Sequence, residues 1–394
     1  MNVKNLTERY ITHTYKRQPL TLVKGRGMFV WDSRGKRYVD FVGGIAVCSL
    51  GHCYPTLVNA VSAQAKKLMH VSNLYYIQPQ AELAALLAKI VPKPINKFFF
   101  CNSGAEAVEG SFKLALKHTK RQRIIAMQNS FHGRTAATVG ATWKHSYREP
   151  FEALIPKIFE FIPFNDLAAA ELAVDEQTAA VIVEPIQGEG GVNVPSDDYL
   201  PGLRKLCDEH GVLLICDEVQ SGMGRTGKWF ACEHWGIKPD IITMAKALGG
   251  GFPMGCFGAK SEVAKSFSPG DHASTFGGNP LACAAGKAVV QTMMRLKLPQ
   301  RATKMGEYFK KCLEELARKH SCVSDVRGKG LLIGMELSSK ELADKVVVKV
   351  RENGFLINAT ADKVLRFVPP LIVERRHIDY LIKVLDKILG KVEQ

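Results

Sequence analysis

Lys246 ends the apolar run DIITMAK and is followed at once by Gly249, Gly250 and Gly251. A lysine is ordinarily solvated, its stem on apolar surface and its ammonium in water. At the carboxyl end of a buried strand, beside glycines that let backbone approach a ligand, it stands where open α/β sheets put their chemistry. About one strand-helix-strand unit upstream, LLICDEV closes a second apolar strand with Asp217 and Glu218. An unpaired carboxylate there is costly to bury, so it must meet a cation or a donor. A core salt bridge would do; so would the protonated ring nitrogen of a heterocycle. A desolvated lysine, for its part, is a nucleophile for carbonyls.

Two further stretches extend this chemistry. In FFFCNSGAEAVE (98–109) an apolar strand runs through Asn102, Ser103, Gly104 and Ala105 into a helix. Free amides at a helix start form an anion site, although Ser103 is equally an ordinary cap. In SFHGRTAATVG (130–140), Phe131 offers a stacking face beside His132, and Arg134 offers a fork for a carboxylate. The competing reading is a loop histidine and a surface arginine. An anion-binding helix start, an aromatic face, an acid and a lysine are together what pyridoxal phosphate requires.

The elements that must position these residues alternate. Short β-rich runs (FFFC, IIAM, AAVIVEP, VLLICDEV, IITMA, GCFGA) are separated by amphipathic stretches such as AEAVEGSFKLALKH and YLPGLRKLCDEH. That alternation predicts one large α/β domain over 46–290, with a mostly parallel sheet covered on both faces. Residues 1–45 read differently, GMFVWDSRGKRYVDF forming a hairpin about Asp-Ser-Arg-Gly. Residues 291–394 carry a helical pattern, the strands VRGKGLLIGMEL and VLRFVPPLIV, and a terminal helix. The two ends are expected to pack together as a smaller α+β domain.

The totals bound the function. At 394 residues, 46% hydrophobic and 23% charged, the chain has the composition of a folded soluble protein. It has neither a membrane-spanning apolar run nor a secretory leader pattern, so a cytoplasmic enzyme is expected. Its 10 cysteines are scattered without a CxxC pair, which argues for reduced thiols and no metal site. The net charge of +15 is spread widely, and only short runs such as KHTKRQR are dense. No basic stripe with interleaved aromatics indicates nucleic acid. Anionic small molecules or an acidic partner protein stay open.

NSGAEAVE, FHGRT, VEPIQGEGG, CDEVQSGMGRTG, AKALGGGFP and STFGGNPLA, in this order, resemble the class III aminotransferases of fold type I, most nearly their acetylornithine branch. The resemblance spans nearly the whole chain and implies a mostly parallel seven-stranded sheet in the large domain. It implies that Lys246 bonds the cofactor aldehyde and moves protons, and that Asp217 keeps the pyridine nitrogen protonated. Gln220 would bond the phenolic oxygen, and Phe131 would stack on the ring. Backbone at Ser103, Gly104 and Ala105 would take the phosphate. Glu218 and Val219 flank Asp217 in the cofactor motif. Thr275 would reach the phosphate of a neighbouring subunit, with Ser274 near substrate, which makes a homodimer with shared sites.

By the same resemblance Arg134 takes the donor carboxylate, and Arg366 takes the second carboxylate of glutamate or 2-oxoglutarate. Glu189 would pair with Arg366 when the other substrate lacks that group; the alternative is a surface ion pair of little worth. Ile45 stands where ornithine δ-aminotransferases carry a tyrosine that holds a free α-amino group, so a blocked nitrogen is expected. The implied reaction moves the terminal amino group of N2-acetyl-L-ornithine to 2-oxoglutarate, in arginine biosynthesis. Rival readings are an aminotransferase for lysine or ornithine attached to an acidic carrier protein, suggested by the charge and by TWKHSYREPFEAL, and a 4-aminobutyrate or succinylornithine aminotransferase. A silent binding module of the same fold is the alternative outside enzymes.

Overall fold

The computed structural model describes residues 3–392. Seven strands make its central sheet: β1 (Ile95–Cys101), β2 (Arg123–Met127), β3 (Phe159–Ile162), β4 (Thr178–Val183), β5 (Leu213–Asp217), β6 (Ile241–Met244) and β7 (Gly255–Lys260). Their spatial order is β1-β7-β6-β5-β4-β2-β3. Only β7 runs against its neighbours β1 and β6; the other pairs are parallel. Every residue of β4 (TAAVIV), β5 (LLICD) and β6 (IITM) is buried, as strands covered on both faces must be. The edge strand β3, FEFI, is half-buried and carries Glu160, which pairs with Arg123.

Because β1, β2, β4, β5 and β6 point the same way, their carboxyl ends share one edge of the sheet. Asn102, Phe131, Glu184, Asp217 and Lys246 all lie just at or beyond those ends. This is the edge at which open α/β sheets bind ligands.

The chain ends contribute two further sheets. Phe29–Asp32 and Arg37–Asp40 form the expected hairpin. Asp32 Oδ1 accepts the amides of Arg34 and Lys36 at 2.9 Å each, and Gly35 supplies the left-handed turn at φ +81°. Phe355–Leu356 adds to Arg37–Asp40 in parallel, which ties the two ends together. In the other sheet, Val323–Lys329, Leu332–Leu337, Val364–Phe367 and Asn358–Thr360 pair antiparallel in that order, with Arg366 opposite Gly334 and Asn358.

Between hairpin and central sheet, Gly43, Gly44, Ile45 and Ala46 all adopt positive φ, at 55°, 65°, 64° and 64°. Left-handed backbone costs a non-glycine residue about 1 kcal/mol or more, and a β-branched one is a genuine outlier. Asp40 holds the turn, its Oδ1 accepting Val42 N at 2.8 Å and Gly43 N at 3.0 Å.

Candidate active site

Two cavities open along the carboxyl edge. The smaller, about 420 Å³, is lined by Ser103, Gly104, Ala105, Phe131, Asp217, Val219 and Gln220 among others. The larger, about 980 Å³, is bounded by Ile45, Tyr147, Glu189 and Thr360. Phe131, Arg134 and Lys246 line both, so the lysine stands at their junction.

The smaller cavity is built on two loops. After β1, Ser103 caps the helix Gly104–Thr119: its Oγ accepts Glu106 N at 3.2 Å, and Glu106 Oε2 accepts Ser103 N at 3.1 Å. The hydroxyl is therefore a cap after all, and the first amides of the helix face outward without intrahelical partners. A methyl on Gly104 would sit 2.9 Å from Val219 Cγ1, so only glycine lets the helix start press against the loop after β5. From that loop, Asp217 Oδ1 accepts Val219 N at 3.1 Å and the Thr243 hydroxyl at 2.9 Å, while Oδ2 accepts His132 Nδ1 at 2.7 Å. Asp217 and His132 are 4% and 3% exposed, and His132 Nε2 has no partner among the described residues.

Glu184 was not anticipated. It closes β4 as Asp217 closes β5, and its two oxygens accept Phe131 N at 2.9 Å and Gly188 N at 3.0 Å. Those bonds fix the backbone that presents Phe131. Burial lifts its carboxyl to about 7; the Asp217 charge adds to this, while His132 and the two amides oppose it.

Lys246 opens a single 3₁₀ turn with φ +44° and makes no hydrogen bond or ion pair among the described residues. Enclosure in the protein pushes its ammonium below the ordinary lysine range; Arg366 reinforces this and the carboxylate of Glu189 opposes it. That leaves an amine readier to be neutral than a surface lysine.

At the other end, Arg366 is 1% exposed and stands behind Glu189, lining neither cavity. Its NH1 donates to Glu189 Oε1 and, at 2.9 Å, to Gln220 Oε1, while Gln220 Nε2 donates to Glu189 Oε1 at 3.2 Å. Burial would raise the Glu189 carboxyl, but Arg366 and then Lys246 outweigh it, and it lies below its ordinary range. Arg134 is exposed, its guanidinium 3.4 Å from the Tyr147 ring centroid and 5.6 Å from that of Phe131.

Three of the sequence candidates lie off the cavities. Glu218 turns into the core, where its oxygens accept the Ser221 hydroxyl at 2.6 Å and Cys232 N at 2.8 Å. Ser274 Oγ accepts Gly277 N at 2.9 Å and Asn102 Nδ2 at 3.3 Å, and Thr275 is exposed beside it.

A family model for class III aminotransferases matches residues 10–389 of this sequence. The chain belongs to the class III aminotransferases. Among class III relatives it is 52% identical over 373 residues to the acetylornithine aminotransferase of Methanopyrus kandleri, covering 95% of each chain. It is 49% identical to that of Caldanaerobacter subterraneus, covering 98% of each. The acetylornithine aminotransferase structure from Elizabethkingia anophelis superposes with a TM-score of 0.88 at 34% identity, over 98% of both chains. A Toxoplasma gondii ornithine aminotransferase, described with partial occupancy of PLP at its active site, gives 0.94 at 33% identity, over 99% of this chain and 94% of that one.

Proposed function

We propose that this aminotransferase moves the terminal amino group of N2-acetyl-L-ornithine to 2-oxoglutarate, giving N-acetylglutamate 5-semialdehyde and L-glutamate. Pyridoxal 5′-phosphate is its cofactor. The observation that carries the reading is the junction at Lys246: one unpaired amine between a cavity ending in Asp217 and a cavity ending in the Glu189–Arg366 pair.

The residues of the smaller cavity fit the cofactor. A buried carboxylate, an unpaired amine and an orphaned histidine nitrogen converge there, and Gly104 leaves a cradle that a methyl would fill. Ser103, Gly104 and Ala105 would hold the phosphate on outward amides, Phe131 would stack on the ring, and Asp217 would sit at the ring nitrogen, with Val219 beneath. Bound there, pyridoxal phosphate supplies an aldehyde for the amino group and a cationic ring that draws electrons from the adjacent carbon.

Each remaining task falls to this chain. Lys246 attacks the aldehyde and, once released, takes a proton from the amine-bearing carbon and returns it one atom away. Its lowered pKa keeps the amine neutral enough to do both. Asp217 stays ionised through its three donors and keeps the ring nitrogen protonated. Glu184 anchors Phe131 and Gly188. Arg134 takes the donor carboxylate; Glu189 neutralises Arg366 while the acylated donor is bound and yields it when a dicarboxylate arrives. Gln220 bridges that pair and would turn toward the phenolic oxygen.

Ile45, 45% exposed on the larger cavity, offers no hydrogen bond to a free α-amino group, which suits an acylated donor. Thr275 and Ser274, on the surface, would complete the partner subunit's site in a homodimer. A donor panel with 2-oxoglutarate as acceptor tests the assignment: acetylornithine should exceed ornithine, 4-aminobutyrate and carrier-linked lysine in kcat/KM, and a different leader overturns it. Among the described residues no helix is long and apolar enough to cross a membrane, and no cluster of ligating side chains could hold a metal.

A further inference from the structure

Seven of the ten cysteines are buried, and burial raises the thiol of the half-buried Cys312; Cys53, exposed, and Cys48, half-buried, remain. Cys48 directly follows the strained turn, and its sulfur lies against Gly44: a methyl there would be 3.6 Å from Sγ.

Two cations flank this sulfur. His52 Nε2 is bonded to Asp40 Oδ2 at 2.7 Å, and its ring lies within hydrogen-bond reach of the Cys48 thiol. Asp40, then Cys48, raise the imidazole to about 10, so it carries a proton at neutral pH. From the loop after β5 comes Arg225, 1% exposed, whose NH1 donates to the carbonyls of Leu331 at 3.1 Å and Pro369 at 2.6 Å. Its Nε and NH2 have no partner among the described residues, and Cys48 is the one ionisable group set against its charge. A buried guanidinium without a counter-charge costs several kcal/mol, which a thiolate at Cys48 would relieve. A cysteine between imidazolium and guanidinium is the setting of reactive thiols. The ionisable groups facing Cys48 are thus His52 and Arg225, with Asp40 behind His52.

We propose that Cys48 is the nucleophilic thiol of this protein, a modification site for small disulfides and alkylating agents, and that modification there acts on the substrate end of the active site. With a low-molecular-weight disulfide, the Cys48 sulfur attacks one reagent sulfur and the reagent S–S bond breaks. A new S–S bond joins Cys48, which is oxidised, to one half; the other leaves as a thiolate, reduced, and takes a proton from solvent. Bulk on Sγ presses on Gly44, and Gly44 and Ile45 line the larger cavity while Val47 lines the smaller. The turn is already strained, so it moves rather than absorbs the load.

The holoenzyme is treated with iodoacetamide, or with oxidised glutathione, from pH 6 to pH 8 and mapped by peptide mass, alongside Cys48→Ser and Cys53→Ser. The expected result is one label on Cys48 whose alkylation rate changes less than about threefold, where an ordinary thiol changes roughly eightyfold over that range. The glutathione adduct should raise the donor KM several-fold, reversibly with dithiothreitol, while Cys48→Ser keeps wild-type turnover and resists the reagent. A label on Cys53, or an ordinary pH slope at Cys48, overturns the reactive site. A Cys48 adduct with unchanged donor KM overturns the coupling. The labelling arm is independent of the proposed reaction, so the two can fail separately.

Discussion

Replacing Glu189 with glutamine separates the two substrates. Arg366 is 1% exposed, and its NH1 is shared between Glu189 Oε1 and the neutral Gln220 Oε1 at 2.9 Å. Glutamine keeps an acceptor in place but removes the charge. A hydrogen bond to a charged group is worth about 1.5–3 kcal/mol against about 1 for a neutral one, so Arg366 loses roughly 1–2 kcal/mol of its resting partner. A dicarboxylate must displace that partner, whereas the acylated donor needs it kept. Binding of 2-oxoglutarate should therefore tighten by about tenfold, and the donor half-reaction should fall by about tenfold or more, at about 1.4 kcal/mol per decade. Single-turnover measurements of each half-reaction, followed by cofactor absorbance, read the two effects separately. If both half-reactions weaken by the same factor, the pair is structural and the switch is wrong.

Other substitutions probe other parts of the site. Lys246→Ala should lower kcat by about 10⁴ or more, since proton transfer alone is worth about 10²–10⁴; borohydride treatment and peptide mapping should fix the cofactor at residue 246 in wild type only. Ile45→Tyr should shift the ornithine-to-acetylornithine ratio of kcat/KM toward ornithine by about fivefold to tenfold, the worth of one neutral hydrogen bond. Burial lifts the core carboxyl Glu218 from 4.5 to about 7. Its folded pKa being the higher, its contribution to stability is full below the unfolded value and lost as pH rises through the folded one, on the order of 3 kcal/mol. Denaturant titrations of Glu218→Gln, which can still accept from Cys232 and donate to Ser221, should therefore lose less stability than wild type between about pH 5 and pH 7.

Lys246 and Asp217 were legible because a charged residue closing an apolar strand has few places to go. Glu184 carries the same signal in AAVIVEP and was passed over; its nearby amide donors at Phe131 and Gly188 become visible only when the loops fold. Glu189 and Arg366 stand 177 residues apart, and no local pattern places Glu189 in front of Arg366; that took the resemblance, and the register of the second small sheet completes it. The strand FEFI was missed because an edge strand of four half-polar residues has neither the length nor the burial that periodicity detects. The helix Val3–Tyr10 buries no residue, so its apolar spacing marks no core. The left-handed turn at 43–46 was invisible for another reason: Ile and Ala after two glycines read as extended chain.

That turn bears on how donor preference can change in evolution. Position 45 meets the substrate, yet its backbone sits at φ +64°, where isoleucine is among the least comfortable occupants and glycine or asparagine among the most. Most replacements there start from a residue already at a disadvantage, so a lineage can sample new side chains against the substrate without eroding its fold. Specificity in this chain is anchored at its arginines and free to drift at residue 45.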